Sequence, residues 1–168
     1  MKYNTVFSNR RSISLSIKNG ELTVRAPLGT NEKRIAELVE KHEKWIEKHL
    51  LKSIEREEKF ESLSKEAVNE LKRNAKEYFF AKTEEFSKIM NLKYGRITIT
   101  SAKTRFGSCS SKGNICFSYR LMLYPETARE YVVVHELCHL VYMNHSSAFY
   151  GLLAKYLPDY KERRRRLK

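Results

Sequence analysis

Long hydrophobic runs are absent from this sequence. Nowhere do its 168 residues approach the roughly 18 consecutive apolar residues that a membrane-spanning helix requires. The N-terminal stretch carries Lys2, Asn4, Arg10 and Arg11 and lacks the apolar core of a signal peptide. We therefore expect a protein with no membrane span and a cytoplasmic location.

Cysteine is scarce. Cys109, Cys116 and Cys138 are an odd number of thiols and include no Cys-x-x-Cys pair. The sequence therefore indicates neither a disulfide framework nor a cysteine-based zinc knuckle, and reduced thiols are expected. A disulfide between Cys109 and Cys116, on neighbouring strands, is the less favoured alternative.

Acidic residues are too few to balance the basic ones. The chain has 33 Lys and Arg against 20 Asp and Glu, a formal net charge of +13. This excess favours contact with nucleic acid or another polyanion. The most concentrated basic segment is Arg163–Arg166, which could be a tail that orders on an anion or a tail that only increases solubility.

The N-terminal part alternates apolar and polar residues over 12–26, with an Asn-Gly turn at 19–20, and this pattern predicts a β-hairpin. Helical spacing of apolar residues follows within the strongly charged segment 32–59. The sequence has no internal repeat. We predict a hairpin-plus-helix region over 1–60 and a second region over 61–168, with a single compact unit as the alternative.

The second region predicts further helices and a small sheet. A helix with an apolar stripe begins after Ser62 or Ser64, and β-rich runs follow at 97–100 and 115–119. The Gly107–Cys109 segment between these runs is interpreted as a tight turn. The predicted fold class is α+β, with a small antiparallel sheet packed on a later helix that carries the chemistry.

That later helix contains a His-Glu-x-x-His motif. His135 and His139 are four residues apart, so on a helix they lie on one face and can chelate one ion. Zinc accepts neutral imidazole nitrogen, and a catalytic zinc site uses three protein ligands and keeps one position open. Glu136 is turned by about a hundred degrees from His135, which suits a general base and not a ligand. We predict one Zn²⁺ per chain.

The third ligand is predicted to be His145. It follows His139 after five intervening residues, and Asn144 tolerates the left-handed backbone that would turn the chain back towards the metal. Asp159 and Glu162 are the first carboxylates after the motif and are the less favoured alternative, because the former follows a helix-breaking proline.

Histidines in helices often have no functional role. Under that interpretation His135 and His139 face solvent and Glu136 joins a surface ion pair. The preceding valines, Val132–Val134, have modest helix propensity and favour a buried helix, in which two histidines and a carboxylate need a partner such as a metal.

Three segments carry a resemblance to a known family. RFGSCSSKGNICFSYRLMLYP at 105–125 and YVVVHELCHLVYMNHSSAFY at 131–150 resemble the YgjP-like metallopeptidase family, a relative of the SprT-like and WLM zinc peptidases. The stretch 8–46 resembles that family's opening, with a hairpin first and then a helix. The resemblance covers most of the chain.

This resemblance implies a zincin-like catalytic domain that cleaves polypeptides. It implies His135, His139 and His145 as zinc ligands and Glu136 as the catalytic acid and base. The SprT-like and WLM relatives imply substrates attached to DNA. Phe106 departs from the family pattern, which usually has Trp at this position, and we expect the exchange to alter packing and not chemistry.

Predicted substrate-binding residues are Arg105, Asn114 and Arg120. The strand through Asn114–Tyr119 could be the edge that holds an extended peptide, and the arginines could bind a substrate carboxylate or phosphate. Solvated arginines at strand ends are the alternative.

The leading functional prediction is a zinc-dependent metallopeptidase, with action near DNA as an extension of it. One alternative is a metal-dependent nucleotide phosphohydrolase, although the sequence has no P-loop. Another is a non-catalytic nucleic-acid-binding module with structural zinc, which would require a closed four-ligand site.

Overall fold

The computed structural model describes residues 2–18 and 20–167. The chain separates into two compact units, with the boundary between Leu63 and Ser64. Both units combine helices with a three-stranded sheet, so the predicted α+β class is confirmed. No helix among the described residues is long and apolar enough to cross a membrane.

The N-terminal unit begins with a mixed sheet in the order β1-β3-β2, formed by β1 (Asn4–Ser8), β2 (Ser14–Lys18) and β3 (Glu21–Pro27). Strands β2 and β3 pair antiparallel, which confirms the predicted hairpin, and β1 pairs parallel to β3. Asn19 of the predicted turn lies outside the described residues. The hairpin buries one face, as the alternating pattern requires.

Two helices cover that face, α1 (Glu32–Lys41) and α2 (Glu43–Glu61), where the sequence predicted one. The break lies at His42, with φ −108° and ψ 13°. The His42 ring nitrogen bonds the Leu38 carbonyl at 2.9 Å, and the His42 backbone N–H bonds the Val39 carbonyl instead. The side chain thus takes the carbonyl that a continuous helix would use.

The C-terminal unit is built on a long helix, α3 (Lys65–Met90), which begins at the predicted cap Ser64. Its strands are β4 (Ile97–Thr100), β5 (Gly107–Cys109) and β6 (Ile115–Ser118), and a 3₁₀ helix follows at Tyr119–Leu123. Three more helices complete the unit: α4 (Glu126–Cys138), α5 (Ser147–Tyr156) and α6 (Tyr160–Arg165).

The sheet of this unit is mixed, which corrects the prediction of an antiparallel sheet. Strand β6 pairs parallel to β4 and antiparallel to β5. The Gly107–Cys109 segment, interpreted from sequence as a turn, is itself a strand and reverses the chain between β4 and β6. Because β6 is central and bonded on both sides, the prediction that it is a free edge is wrong.

The core of the C-terminal unit lies between α3, the sheet and α4. Phe79 of α3 stacks on Phe117 of β6 with ring centroids 4.6 Å apart. The three valines of α4, Val132–Val134, are all buried, as we expected because residues of modest helix propensity favour a buried helix. Helix α4 is therefore fixed along most of its circumference, which gives the site at its C-terminal end a rigid support.

The arginine run is helical, which is contrary to the alternative of a tail that orders only on an anion. Arg163–Arg165 belong to α6 and Arg166 is its C-cap. Arg163 donates to Glu130 of α4 at 2.7 Å, and Arg166 donates to Glu162 at 3.0 Å. All three cysteines are free thiols, as expected.

Candidate active site

The last turn of α4 and the loop after it bring three histidines together. His135 lies in the last turn, His139 is the C-cap of the helix, and His145 comes just before Ser146, which caps α5. The Ser146 hydroxyl accepts a hydrogen bond from the Phe149 N–H at 3.4 Å, so the loop ends at a defined helix start. This turn carries His145 back to the other two.

The three rings surround a small space. One nitrogen from each histidine lies within 4.8 Å of the others, and the Nε2 atoms of His135 and His145 are 3.0 Å apart. Phe149 lies beneath them, fully buried, with its ring centroid 4.9, 4.7 and 4.8 Å from those of His135, His139 and His145. The phenyl ring is the apolar floor of the cluster.

Hydrogen bonds orient two of these rings. The Nδ1–H of His139 donates to the Tyr142 carbonyl at 3.0 Å, which leaves Nε2 as the nitrogen with a free lone pair. The Tyr131 hydroxyl lies 3.4 Å from Nδ1 of His135. Partners of this kind select the tautomer that binds a metal and hold the ring in place.

The cluster disfavours protonated imidazole. Burial lowers the pKa of His135 to about 3, and the neighbouring histidines and Arg164 act in the same direction. Burial also lowers the pKa of His145, again with help from His139 and Arg164. Neutral imidazole is the form that ligates a metal. The lowered pKa values thus keep these rings neutral, in the form that can bind a metal ion.

Glu136 is a buried carboxylate with an unsatisfied oxygen. The residue is 5% exposed, and its Oε2 has no hydrogen-bond partner in the part of the chain that the structure describes. Burial raises the pKa of Glu136 to about 8, against the opposing charge of Arg105. Buried polar atoms without partners are uncommon in folded proteins and often mark a site for water, an ion or substrate.

Gly107 of β5 faces this carboxylate at close range. A Cβ at Gly107 would lie 2.5 Å from Oε1 of Glu136 and 2.8 Å from its Cγ and Cδ. Only a residue without a side chain fits at this distance. Strand β5 is therefore one wall of the site, and the glycine is what allows the strand to approach α4.

A cavity of about 340 Å³ opens beside Glu136 and His135. Its other lining residues come from β5, the segment before it, α4 and the C-terminal helix: Phe106, Gly107, Tyr131, Val132, Arg164 and Leu167. Phe106 packs edge to face on Tyr124, with ring centroids 5.0 Å apart. Phe106 thus contributes to the pocket wall.

The predicted substrate-binding residues lie in different places. Arg105 is exposed and close enough to Glu136 to oppose the rise of its pKa. Asn114 accepts a hydrogen bond from the Arg96 backbone N–H at 2.9 Å, a contact that holds β4 beside β6. Arg120 is 6% exposed in the 3₁₀ helix. Neither Asn114 nor Arg120 lines the cavity at Glu136.

Four residues of the site were missed from sequence. Tyr131 lies four residues before His135 on α4, so helical spacing could have indicated it. Phe149 lies on α5 whereas His145 precedes that helix, so spacing alone does not relate these two residues. Gly107 and Arg164 could not be found in this way, because their roles depend on how β5 and α6 pack on α4.

The chain matches a known protein family and is similar, over about half its length, to two solved structures. The family described as "YgjP-like, metallopeptidase domain" matches residues 11–70 and 54–168. No curated protein matches the chain at a significant level. The metallopeptidase zymogen abylysin of Pyrococcus abyssi is 25% identical, with a TM-score of 0.49 over 53% of this chain and 90% of that one. The zymogen jannalysin of Methanocaldococcus jannaschii is 20% identical, with a TM-score of 0.47 over 53% of this chain and 92% of that one. The family match spans most of the chain, which therefore belongs to the YgjP-like metallopeptidase family.

Proposed function

We propose that the protein is a zinc-dependent metallopeptidase that hydrolyses peptide bonds, with His135, His139 and His145 holding one zinc ion and Glu136 as the general base. The observation that carries the proposal is the meeting of three imidazoles with a buried carboxylate that has an unpartnered oxygen. Three ligands and a base are the composition of an open, catalytic zinc site.

The donor set fits zinc. Zinc–nitrogen bonds are about 2.0–2.1 Å long, so two nitrogens on one ion are at most about 4 Å apart. The Nε2 pair of His135 and His145, at 3.0 Å, meets this limit, and one nitrogen of His139 lies within 4.8 Å of both rings' ligand atoms. Imidazole also suits nickel, iron and copper, so the metal content has to be measured.

Zinc, when bound, would polarise the scissile carbonyl and make a water molecule more acidic. The residues of the chain itself carry out the proton transfer. Glu136 can take a proton from the attacking water on its unpartnered Oε2 and later deliver it to the leaving amine. Contact with Gly107 keeps this carboxylate from rotating away, and Phe149 excludes solvent from beneath the histidines.

The substrate would lie along β5 and not along β6. Strand β5 is an edge strand, and it is flanked by bonds from the Ser118 N–H to the Phe106 carbonyl and from the Ser110 N–H to the Asn114 carbonyl. In an antiparallel pair the hydrogen-bonded positions alternate, which leaves the backbone groups of Gly107, a residue of the cavity wall, facing away from β6. An extended peptide added to this edge would pass directly by Glu136.

Contact with nucleic acid is a further part of the proposal and rests on the net charge of +13. Arg163 and Arg166 form ion pairs within the chain, so their charges are less available to bind a polyanion than the sequence suggested. Adding DNA to the cleavage assay tests this part separately.

Zinc removal and replacement test the function itself. We expect the purified protein to contain one zinc per chain, to cleave an unfolded protein substrate, to lose this activity on chelation and to regain it with zinc. Hydrolysis of nucleoside triphosphates under the same conditions would favour the phosphohydrolase. Zinc that survives chelation in a protein without hydrolytic activity would favour a structural site.

A further inference from the structure

Helix α6 places a cation at the mouth of the candidate active site. It is held against the rest of the unit by the 2.7 Å ion pair of Arg163 with Glu130 and by stacking of Tyr160 on Tyr150, with ring centroids 5.9 Å apart. The next residue after Arg163 is Arg164, and it lines the cavity together with His135. The position of Arg164 is thus fixed by contacts that its own guanidinium does not make.

The four arginines of the run have different roles. Arg163 and Arg166 pair with acidic residues of the chain. Arg164 and Arg165 are both exposed, and of these two Arg164 lines the cavity. Arg164 has no acidic partner within ion-pair distance among residues 2–18 and 20–167. Arg164 is therefore the one member of the run that combines an uncompensated charge with a place at the pocket.

Arg164 shares the lining of the cavity with His135 and Glu136. A guanidinium does not ligate a metal, but its planar fork matches a carboxylate and can bind it through two parallel hydrogen bonds. Arg105 adds a second positive charge near Glu136. The pocket is therefore complementary to an anionic group next to the scissile bond.

We propose that Arg164 is a specificity-determining residue that binds a carboxylate of the polypeptide substrate beside the bond that is cleaved. The inference rests on the proposed peptidase function and adds a substrate class to it. The carboxylate can be an acidic side chain or the C-terminal carboxylate of a peptide, and these two sources are separated by experiment.

The test uses quenched fluorescent peptides of one core sequence, with the zinc-loaded, full-length protein. Single positions on each side of the cleaved bond carry Glu or Gln, and each peptide is made with a free and with an amidated C-terminus. We expect kcat/KM to be about tenfold higher for the carboxylate-bearing peptide than for its neutral partner, as is typical of one charge-assisted contact at a partly exposed site. A preference for the free over the amidated peptide identifies the C-terminal carboxylate, and a preference for Glu over Gln that survives amidation identifies the side chain.

Variants assign this preference to one residue. Arg164→Ala should abolish it, Arg164→Glu should reverse it towards a matching Lys peptide, and Arg164→Lys should retain part of it. Arg165→Ala is the matched control, because it removes the same charge one residue away from a side chain outside the cavity. Zinc content and melting temperature verify that each variant is folded.

Failure of the proposed function and failure of the role of Arg164 give different results. If the zinc-loaded wild type cleaves none of the peptides and no unfolded protein, the proposed function is wrong and the inference falls with it. If the wild type cleaves Glu and Gln peptides equally and also cleaves free and amidated peptides equally, or if Arg164→Ala keeps the full preference, only the role of Arg164 is overturned.

Discussion

The close contact between Gly107 and Glu136 predicts a large effect from a single methyl group. Alanine at position 107 would place its Cβ 2.5 Å from Oε1 and 2.8 Å from Cγ and Cδ of Glu136. Contacts this short do not occur between unbonded atoms, so the whole carboxyl end of Glu136 has to move. The backbone is no obstacle, because Gly107 is not among the glycines with positive φ.

The size of the effect follows from two terms. Overpacking of this kind costs about 1–3 kcal/mol, whereas replacing glycine by alanine in a strand gains about 0.5–1 kcal/mol, so the net loss of stability should be at most about 2.5 kcal/mol. Activity should fall even in the folded variant, since displacement of a catalytic group by about 1 Å can cost about a hundredfold in rate. We expect Gly107→Ala to bind one zinc and to lose about a hundredfold in kcat/KM.

The control is Gly151→Ala. Gly151 lies inside α5, and a Cβ there would meet nothing within 4 Å, so this substitution should leave activity unchanged and raise helix stability by about 0.5–1 kcal/mol. Zinc stoichiometry, kcat/KM on an unfolded protein and urea unfolding are measured for both variants. Wild-type kcat/KM in a folded, zinc-loaded Gly107→Ala protein would refute the claim that this contact positions the base.

Two further predictions concern the metal and the support of α4. His145→Ala should weaken zinc binding by more than about a hundredfold in competition with a chromophoric chelator, and unchanged affinity would remove it from the ligand set. Burial alone would raise the pKa of Glu130, but hydrogen bonds from Arg163 and Lys82 outweigh it and hold the pKa below its ordinary value. A lowered folded-state pKa stabilises the protein above the unfolded-state pKa, and this contribution is lost as the pH falls through the folded-state pKa. Glu130→Gln should therefore cost about 1–3 kcal/mol at pH 7 in urea unfolding of the metal-free protein, with a smaller difference from wild type at about pH 3.5; a cost that does not change with pH would contradict this reasoning.

The sequence predicted those parts of the site that depend on local geometry. His135 and His139 share a face because the period of an α-helix is fixed. The valines before them, which are buried in the structure, indicated that this helix packs in the core. The turn that returns His145 was also predictable in outline, since the five-residue gap limits where the chain can go. These residues lie together in the structure, within 4.8 Å.

The prediction was wrong where strand pairing decides the structure. Gly107–Cys109 is too short and too polar to be recognised as a strand, yet it takes the edge position and makes β6 central. Strand order depends on contacts distant in sequence, which periodicity does not contain. The same limit applies to Arg164, whose place at the pocket depends on the ion pair between Arg163 and Glu130.

The central claim is that Glu136 acts as the base at a metal held by three histidines, and Glu136→Gln tests it most directly. The substitution keeps the shape of the side chain and removes the group that accepts the proton. Wild type and variant are purified without chelators, and zinc content and cleavage of an unfolded protein are measured side by side. We expect one zinc per chain in both proteins and cleavage by the wild type alone; a variant as active as wild type, or a wild type that binds no metal, would contradict the account.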